Sequence, residues 1–464
     1  MKAEFQIHNL FKKDLNLYIN YDPHLSSLKD LKYVFRSSLE REIPVHIPGI
    51  YILTGGRQVG KSTLVKLIIE NLLIKQKEPA RRIFYIPCDI LQRYQDLIFI
   101  IQQAFDEIGR EKYFYMFLDE ITYVKEWDRA IKYFADMGYF KRGFILITGS
   151  DSIILKDSMK YFPGRRGKSG KTDFHYHPLS FSEYLLLTMP ELKNEVQTVR
   201  ELYSSIEDIE TELNSKKIRV IDECFQNYLL SGGFLPAINE YESSKKIGSS
   251  VYQTYSQWVV GDILKRNKKE HFLKDIILTL TERLAKQVTL HNIASMTEIQ
   301  HHSTVQDYLS ILEDMDVVFI QYTLREDKLQ PSPRKAKKIH FSDPFIAQSL
   351  ISWSRDIAVP WEYFKNNFIS ESPLKGDIIE GCISSLLRRK FRIYYIKSEG
   401  EVDIAILSEK GFLPVEIKWS EKLRRNDLKQ ILKYKKGIIG YKGIHIGKYE
   451  QLYVLPIPII ALFV

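Results

Sequence analysis

Apolar positions along the chain change period several times, and the changes divide it into strands and helices. Gly49-Ile50-Tyr51-Ile52-Leu53-Thr54, Tyr113-Phe114-Tyr115-Met116-Phe117-Leu118 and Phe144-Ile145-Leu146-Ile147-Thr148 are short, nearly unbroken apolar runs, the pattern of buried sheet strands. After the first run, Leu64, Leu67, Ile68 and Leu72 recur at helical spacing. A helix is expected from Ile153 to Tyr161 and a further strand from Thr172 to His177. From Glu191 to Lys217 the chain is charged and helix-like, leading into an expected helical lid that includes Tyr228 to Pro236. Between Leu273 and Phe345 the pattern becomes three short helices and two strands, Val317 to Tyr322 and Lys338 to Phe341, the layout of a winged helix-turn-helix. The third of these helices carries Val305, Tyr308, Leu309 and Leu312 on one face, with Ser303 and Gln306 spaced as a capping box. Farther on, Glu401 to Leu407 and Leu413 to Lys418 read as the two strands of a hairpin, preceded by a helix-like run from Gly376 to Lys390. The apolar end, Leu452 to Val464, reads as a final strand or a packing arm.

The turn after the first strand, Gly55-Gly56-Arg57-Gln58-Val59-Gly60-Lys61-Ser62, fits the pattern G-x-x-x-x-G-K-[ST] in the required setting between strand and helix. Glycines let such a loop wrap phosphates with its N–H groups turned inward. Residues Gly55 to Thr63 are therefore expected to bind ATP, with Lys61 reaching the β and γ phosphates and the Ser62 hydroxyl holding Mg²⁺. Hydrolysis needs more than a phosphate loop. The second strand ends in Asp119-Glu120, at the edge where the crevice of an open α/β sheet lies. Asp119 is expected to hold Mg²⁺ through water, and Glu120 to orient or deprotonate the attacking water. The alternative is that both acids only cap the next helix. The third strand runs into Gly149-Ser150-Asp151-Ser152, which places small polar side chains at the same crevice edge, where a γ-phosphate sensor would sit. In Pro163-Gly164-Arg165-Arg166-Gly167-Lys168, an arginine would complete a neighbouring subunit's site, or the stretch is only a solvated basic turn.

Taken together, these residues resemble the prokaryotic AAA+-like P-loop ATPases whose core is fused to a winged helix and a C-terminal domain of the PD-(D/E)xK nuclease type. The matching elements are the Gly55 to Ser62 loop, Asp119-Glu120-Ile121 with Trp127, Thr148-Gly149-Ser150, Gly164-Arg165, Pro178 to Tyr184, and Gly232-Gly233-Phe234-Leu235-Pro236, and they cover the chain from about Pro48 onward. The resemblance implies sensor roles for Ser150 and nearby groups, an arginine finger at Arg165, and a homo-oligomer, either a ring or a smaller assembly. Asp151 departs from the family, which more usually has a second small hydroxyl residue there.

At 464 residues the chain exceeds what one core usually covers, and about three domains are expected. The balance of 67 Lys plus Arg against 58 Asp plus Glu leaves a net charge of +9, which favours a polyanionic partner. Arg325, Lys328, Arg334, Lys335 and Lys337 fall between the two wing strands, where they suit DNA phosphates without reading sequence. Such wings also serve as protein-contact modules. Cys88, Cys224 and Cys382 are dispersed, with neither metal-ligand spacing nor the makings of a disulfide framework. The start lacks the apolar stretch of a signal peptide and the apolar tail is short and proline-interrupted, so a cytoplasmic protein without a membrane span is expected.

A second constellation lies near the C-terminus. In Glu416-x-Lys418 the two-residue period of a strand puts both side chains on one face, and the paired strand would bring Asp403 beside them. Glu380, in the helix-like run upstream, would supply a further carboxylate. Glu380, Asp403 and Glu416 would gather Mg²⁺ or Mn²⁺ to activate water, with Lys418 positioning the nucleophile or neutralising developing charge. The order helix, three strands, helix, strand and these residues look like the PD-(D/E)xK nuclease core, and Gln430-x-x-x-Tyr434 is similar to the helix motif of RecB-type members. The alternative is a nuclease-derived fold that binds without cutting, with Asp403 and Lys418 as ion pairs.

The expected architecture is therefore an N-terminal extension (1–47), a parallel-sheet α/β P-loop ATPase core (48–190), a helical lid (191–270), a winged helix (271–350) and an α/β restriction-endonuclease-like domain (351–464). Three readings follow. The chain is an ATPase that works on duplex or branched DNA and cuts or grips it, a nucleotide switch with a non-catalytic C-terminal module, or a protein remodeller.

Overall fold

The computed structural model describes residues 3–109, 113–149, 155, 166–167, 169–202, 206, 209, 213–370, 372–409 and 411–464. They form two compact units, Met1–His177 and Pro178–Val464.

In the first unit, short helices α1 (Ala3–Gln6), α2 (Leu15–Tyr21), α3 (Pro23–Ser27) and α4 (Leu39–Glu42) precede the first strand. Asp14 and Asp22 start α2 and α3 by accepting backbone amides at their side chains. Strands and helices then alternate: β1 (Gly49–Thr54), α5 (Lys61–Ile74), β2 (Ile83–Pro87), α6 (Tyr94–Ile108), β3 (Phe114–Asp119), α7 (Trp127–Asp136), β4 (Gly143–Thr148) and β5 (Asp173–His175). Every pairing is parallel, in the order β2-β3-β4-β1-β5. The first four strands are buried at each position, as their unbroken apolar runs require. One sheet face packs Ile50, Ile52, Phe84, Met116 and Ile147 against Leu97, Ile101 and Phe105 of α6 and Ile131 and Phe134 of α7. The strand order matters for chemistry. Because β4 lies between β1 and β3, its end sits between the phosphate loop and the acidic pair. Of the helix expected from Ile153 to Tyr161, only Leu155 is among the described residues.

Among the described residues, the second unit opens with helices Phe181–Thr188, Lys193–Leu202, Ser215–Ser231, Leu235–Ser244 and Ser249–Lys265. Ser180 and Glu183 form a reciprocal capping box on the first. Three further helices, Glu270–Glu282, Leu290–Ser295 and His302–Asp314, lead into an antiparallel ribbon of β6 (Val318–Gln321) and, after the small hairpin of β7 (Leu324–Arg325) and β8 (Gln330–Pro331), β9 (Lys338–Phe341). The expected apolar face of the third helix is buried at Val305, Tyr308, Leu309 and Leu312. Its expected capping box does not form. The helix begins at His302, so His301 occupies the cap position without a side-chain bond, and Ser303 is already inside the first turn.

Helices Pro344–Ser354, Pro360–Ile369 and Pro373–Leu387 precede a six-stranded mixed sheet. Strands β10 (Arg392–Lys397), β11 (Glu401–Ser408) and β12 (Gly411–Lys418) form an antiparallel meander. Next come β13 (Ile438–Tyr441), β14 (Gly447–Tyr449) and β15 (Leu452–Pro456), with β12, β13 and β15 parallel neighbours and β14 antiparallel at the edge. Between β12 and β13, where the resemblance places a helix, there are only two short 3₁₀ turns, Arg425–Leu428 and Ile431–Lys433. Gln430 is turned to local work, accepting from the Gly400 amide at 3.1 Å and donating to the Tyr434 hydroxyl at 3.3 Å. The apolar tail is β15 followed by the buried helix Ile457–Ala461. Among the described residues no helix is long and apolar enough to cross a membrane.

Candidate active site and a second charged cluster

The phosphate loop follows from backbone that only glycine tolerates. Gly55 has φ +150°, and a Cβ there would lie 2.3 Å from the Tyr176 carbonyl oxygen. Gly60 has φ +99° and caps α5 without a side chain, leaving the first amides of a 14-residue helix directed into the loop. Lys61 is almost wholly buried, and its Nζ donates to the carbonyls of Gly55 and Gly56 at 2.9 Å each, 3.7 Å from Glu120 Oε1. The expected phosphate-binding lysine and expected catalytic glutamate thus face each other. Ser62 is half-buried beside them, and Thr63 Oγ1 lies 3.4 Å from His24 Nδ1. Gln58 adopts a left-handed backbone, φ 61°, and Arg57 donates to the Tyr123 hydroxyl at 2.8 Å.

Asp119, at the end of β3, is buried and held at both oxygens. Tyr85 Oη donates to Oδ2 at 2.5 Å, and Thr148 Oγ1 donates to Oδ1. Burial first, then the Asp119 charge, holds the Tyr85 phenol well above the ordinary tyrosine range, so it stays a donor. Thr148 Oγ1 also accepts from the Glu120 amide at 2.9 Å. One hydroxyl therefore fixes the carboxylate of Asp119 and the left-handed backbone of Glu120, φ 51°. The alternative that these two acids merely cap a helix is met only in part: Glu120 precedes a short 3₁₀ turn and makes no side-chain cap.

Residues before Pro48 reach the same centre. Asn9 donates to the Tyr85 carbonyl at 2.8 Å and accepts from the Tyr85 amide at 2.9 Å. Lys66 of α5 pairs with Asp22 at 2.8 Å, both side chains fully buried, and its Nζ stands 3.5 Å from the centroid of the Tyr85 ring. Tyr85 and Asn9 are parts of the site that sequence reasoning missed, and Thr148, singled out only within Thr148-Gly149-Ser150 at the end of an apolar strand, was not read as the partner of Asp119 and Glu120. Ser150 and Arg165 lie outside the described residues; Arg166, next to the latter, forms a bidentate pair with Asp173 at 2.8 and 2.6 Å.

The second cluster assembles on β11 and β12. Pairing of Ile404 with Val415 sets Asp403 next to Glu416 and Lys418. Asp403 Oδ2 accepts from the Ile417 amide at 2.9 Å and lies 3.8 Å from Lys418 Nζ, while Lys418 reaches Glu416 at 2.5 Å. Glu380 joins from helix Pro373–Leu387. At its middle, however, stands a residue not anticipated there, Lys338 of β9, whose Nζ lies 2.7 Å from Glu380, 2.5 Å from Glu401 and 3.2 Å from Asp403. Burial alone would raise Asp403, but Lys338, Lys418 and the Ile417 amide bring it below the usual carboxylate range. Burial, with Asp403 as a like-charged neighbour, pushes Glu380 and Glu416 up to about 8. Among the described residues no group of three or more His, Cys, Asp or Glu side chains is disposed to hold a metal ion. Of the expected donors, Glu380 and Asp403 meet at the Lys338 ammonium, while Glu416 is held by Lys418.

Residues 48–185 match the model of an AAA domain, and residues 222–356 match that of a domain of unknown function, DUF8612. With its parallel sheet and phosphate loop, the first unit is a AAA-type P-loop ATPase fold. Two proteins of Methanocaldococcus jannaschii are similar along much of the chain. Uncharacterized protein MJ1637 is 22% identical over 89% of this chain and 84% of its own length, and uncharacterized protein MJ1544 is 25% identical over 70% and 66%. Among solved structures, the Walker-type ATPase of Pyrococcus abyssi is similar over 68% of this chain and 96% of its own, with 15% identity and a TM-score of 0.45.

Proposed function

We propose that the chain hydrolyses ATP at the Gly55–Thr63 loop and uses the nucleotide state to control a DNA-contacting C-terminal unit. The observation that carries the hydrolytic reading is the Thr148 hydroxyl, which orients Asp119 and Glu120 together at the edge facing Lys61. Each Asp119 oxygen has one donor and keeps lone pairs for a metal-bound water, so the donor set of Ser62 and Asp119 fits Mg²⁺. When bound, Mg²⁺ would neutralise charge on the β and γ phosphates. Lys61 would exchange its two loop carbonyls for phosphate oxygens, and Glu120 would orient the attacking water. Ser150 as sensor and Arg165 as a finger donated to a neighbouring copy complete the proposal. A mixture of Arg165→Ala and Lys61→Ala chains regaining activity would support such a shared site, and no recovery in a stable mixed oligomer would oppose it.

DNA contact rests on the three helices and ribbon of Glu270–Phe341, read as a winged helix. Arg325, Lys328, Arg334 and Lys335 are all exposed on the connection between β6 and β9, and Arg325 shares its charge with Asp327 at 3.6 Å. ATP turnover measured with duplex and branched DNA at rising salt tests this reading. Stimulation that falls steeply with salt and is weakened by Arg334→Ala/Lys335→Ala supports it. Turnover indifferent to every DNA would leave a nucleotide switch acting on proteins.

A further inference from the structure

The carboxylate cluster of the C-terminal sheet carries its own cation. Glu380 comes from a helix, Glu401 and Asp403 from β11, and all three converge on Lys338 Nζ at distances between 2.5 and 3.2 Å. The Lys338 side chain has no solvent exposure, so the ammonium has no route outward without opening the fold. Its strand is tied down around it. Tyr395 Oη donates to the Ala336 carbonyl, and Gln321 on β6 donates to the Tyr394 and Asp403 carbonyls at 3.0 Å each while its Oε1 meets His340 Nε2 at 2.9 Å. The fourth carboxylate, Glu416, is engaged by Lys418. Divalent ions take oxygens at about 2.0–2.6 Å, and an ion placed among these oxygens would meet a fixed positive charge at contact distance.

We propose that Lys338 fills the cation position of this cluster, so that the C-terminal unit holds no divalent metal there and leaves phosphodiesters uncut. The carboxylates serve instead to clamp β9, and with it the ribbon, to β11 and helix Pro373–Leu387. This goes beyond the nucleotide reading and does not depend on it, because every residue involved lies in Pro178–Val464.

The test uses the full chain without nucleotide, titrated with Mn²⁺ and read by electron paramagnetic resonance of the free ion. Wild type and Asp403→Asn should bind the same amount, Lys338→Met should gain one ion per chain, and Lys338→Met/Asp403→Asn should lose that gain. Thermal unfolding covers a Lys338→Met chain that folds poorly on its own, since Mn²⁺ should then raise its midpoint well beyond any shift in wild type. A wild-type Mn²⁺ site that Asp403→Asn removes would overturn the proposal. So would a Lys338→Met chain that neither gains a site nor is stabilised by Mn²⁺, or Mn²⁺-dependent DNA cleavage by wild type that Asp403→Asn abolishes.

Discussion

Tyr85 donates its phenolic hydroxyl to the Asp119 carboxylate from the neighbouring strand at 2.5 Å. The donor is held in place, since β2 and β3 are paired in register and Asn9 hydrogen-bonds both backbone groups of Tyr85. Tyr85→Phe removes the donor and leaves the ring packing. Loss of a hydrogen bond to a charged group is worth about 1.5–3 kcal/mol, so ATP turnover should fall by roughly 10- to 100-fold with little change in ATP affinity. Steady-state hydrolysis beside nucleotide binding checks this, and unaltered turnover would remove Tyr85 from the working site.

Lys61→Ala should abolish tight nucleotide binding. The ammonium that bridges the Gly55 and Gly56 carbonyls is the charge positioned to move onto phosphate. Calorimetric titration with ATP and Mg²⁺ measures it, and wild-type affinity in the variant would overturn the assignment of the loop.

The Lys66–Asp22 pair makes the N-terminal segment part of the ATPase unit rather than an appendage. Both charges are fully buried, so Lys66→Met leaves Asp22 without a counter-ion and should destabilise the first unit by about 3–5 kcal/mol. Lys66→Met/Asp22→Asn should recover part of that loss. Denaturant unfolding of the two variants decides, and a single substitution as stable as wild type would contradict the pairing.

The strands, the phosphate loop and the acidic pair were legible because each is local: an apolar run of strand length followed by glycines or carboxylates. The hairpin that brings Asp403 to Glu416 was legible for the same reason, since strand alternation and one antiparallel pairing settle it. What escaped is long-range. Asn9 meets Tyr85 across 76 residues, and Lys338 meets Glu380 and Asp403 across 42 and 65. A lysine opening a short strand gives no periodic sign of burial, because its place is decided by three carboxylates on other elements. The helix expected around Gln430 and Tyr434 failed on a similar ground, with Gln430 spent on the Gly400 turn.

His340 adds a pH dependence to the second unit. Burial first, then Lys338 and Arg388, lowers its imidazole from 6.5 to about 3, with Asp403 opposing. A depressed folded value gives stability that is present above 6.5 and lost as pH falls toward 3, at about 1.4 kcal/mol per pH unit. Glu380 and Glu416, raised to about 8, act in the opposite sense, their contribution being lost as pH rises through that value. Comparing wild type with His340→Gln in urea between pH 7 and 5 isolates the histidine. The wild type should lose stability more steeply on acidification by about one proton's worth, and parallel curves would contradict the buried neutral imidazole.

The most direct test of ATP hydrolysis at this site is single-turnover hydrolysis of ATP with Mg²⁺ by wild type and Glu120→Gln, with bound ATP measured in the same samples. The arrangement of Glu120, Lys61 and Thr148 predicts that Glu120→Gln retains ATP and turns it over at least about 100-fold more slowly. Equal turnover by the two chains would contradict it and move the catalytic group elsewhere.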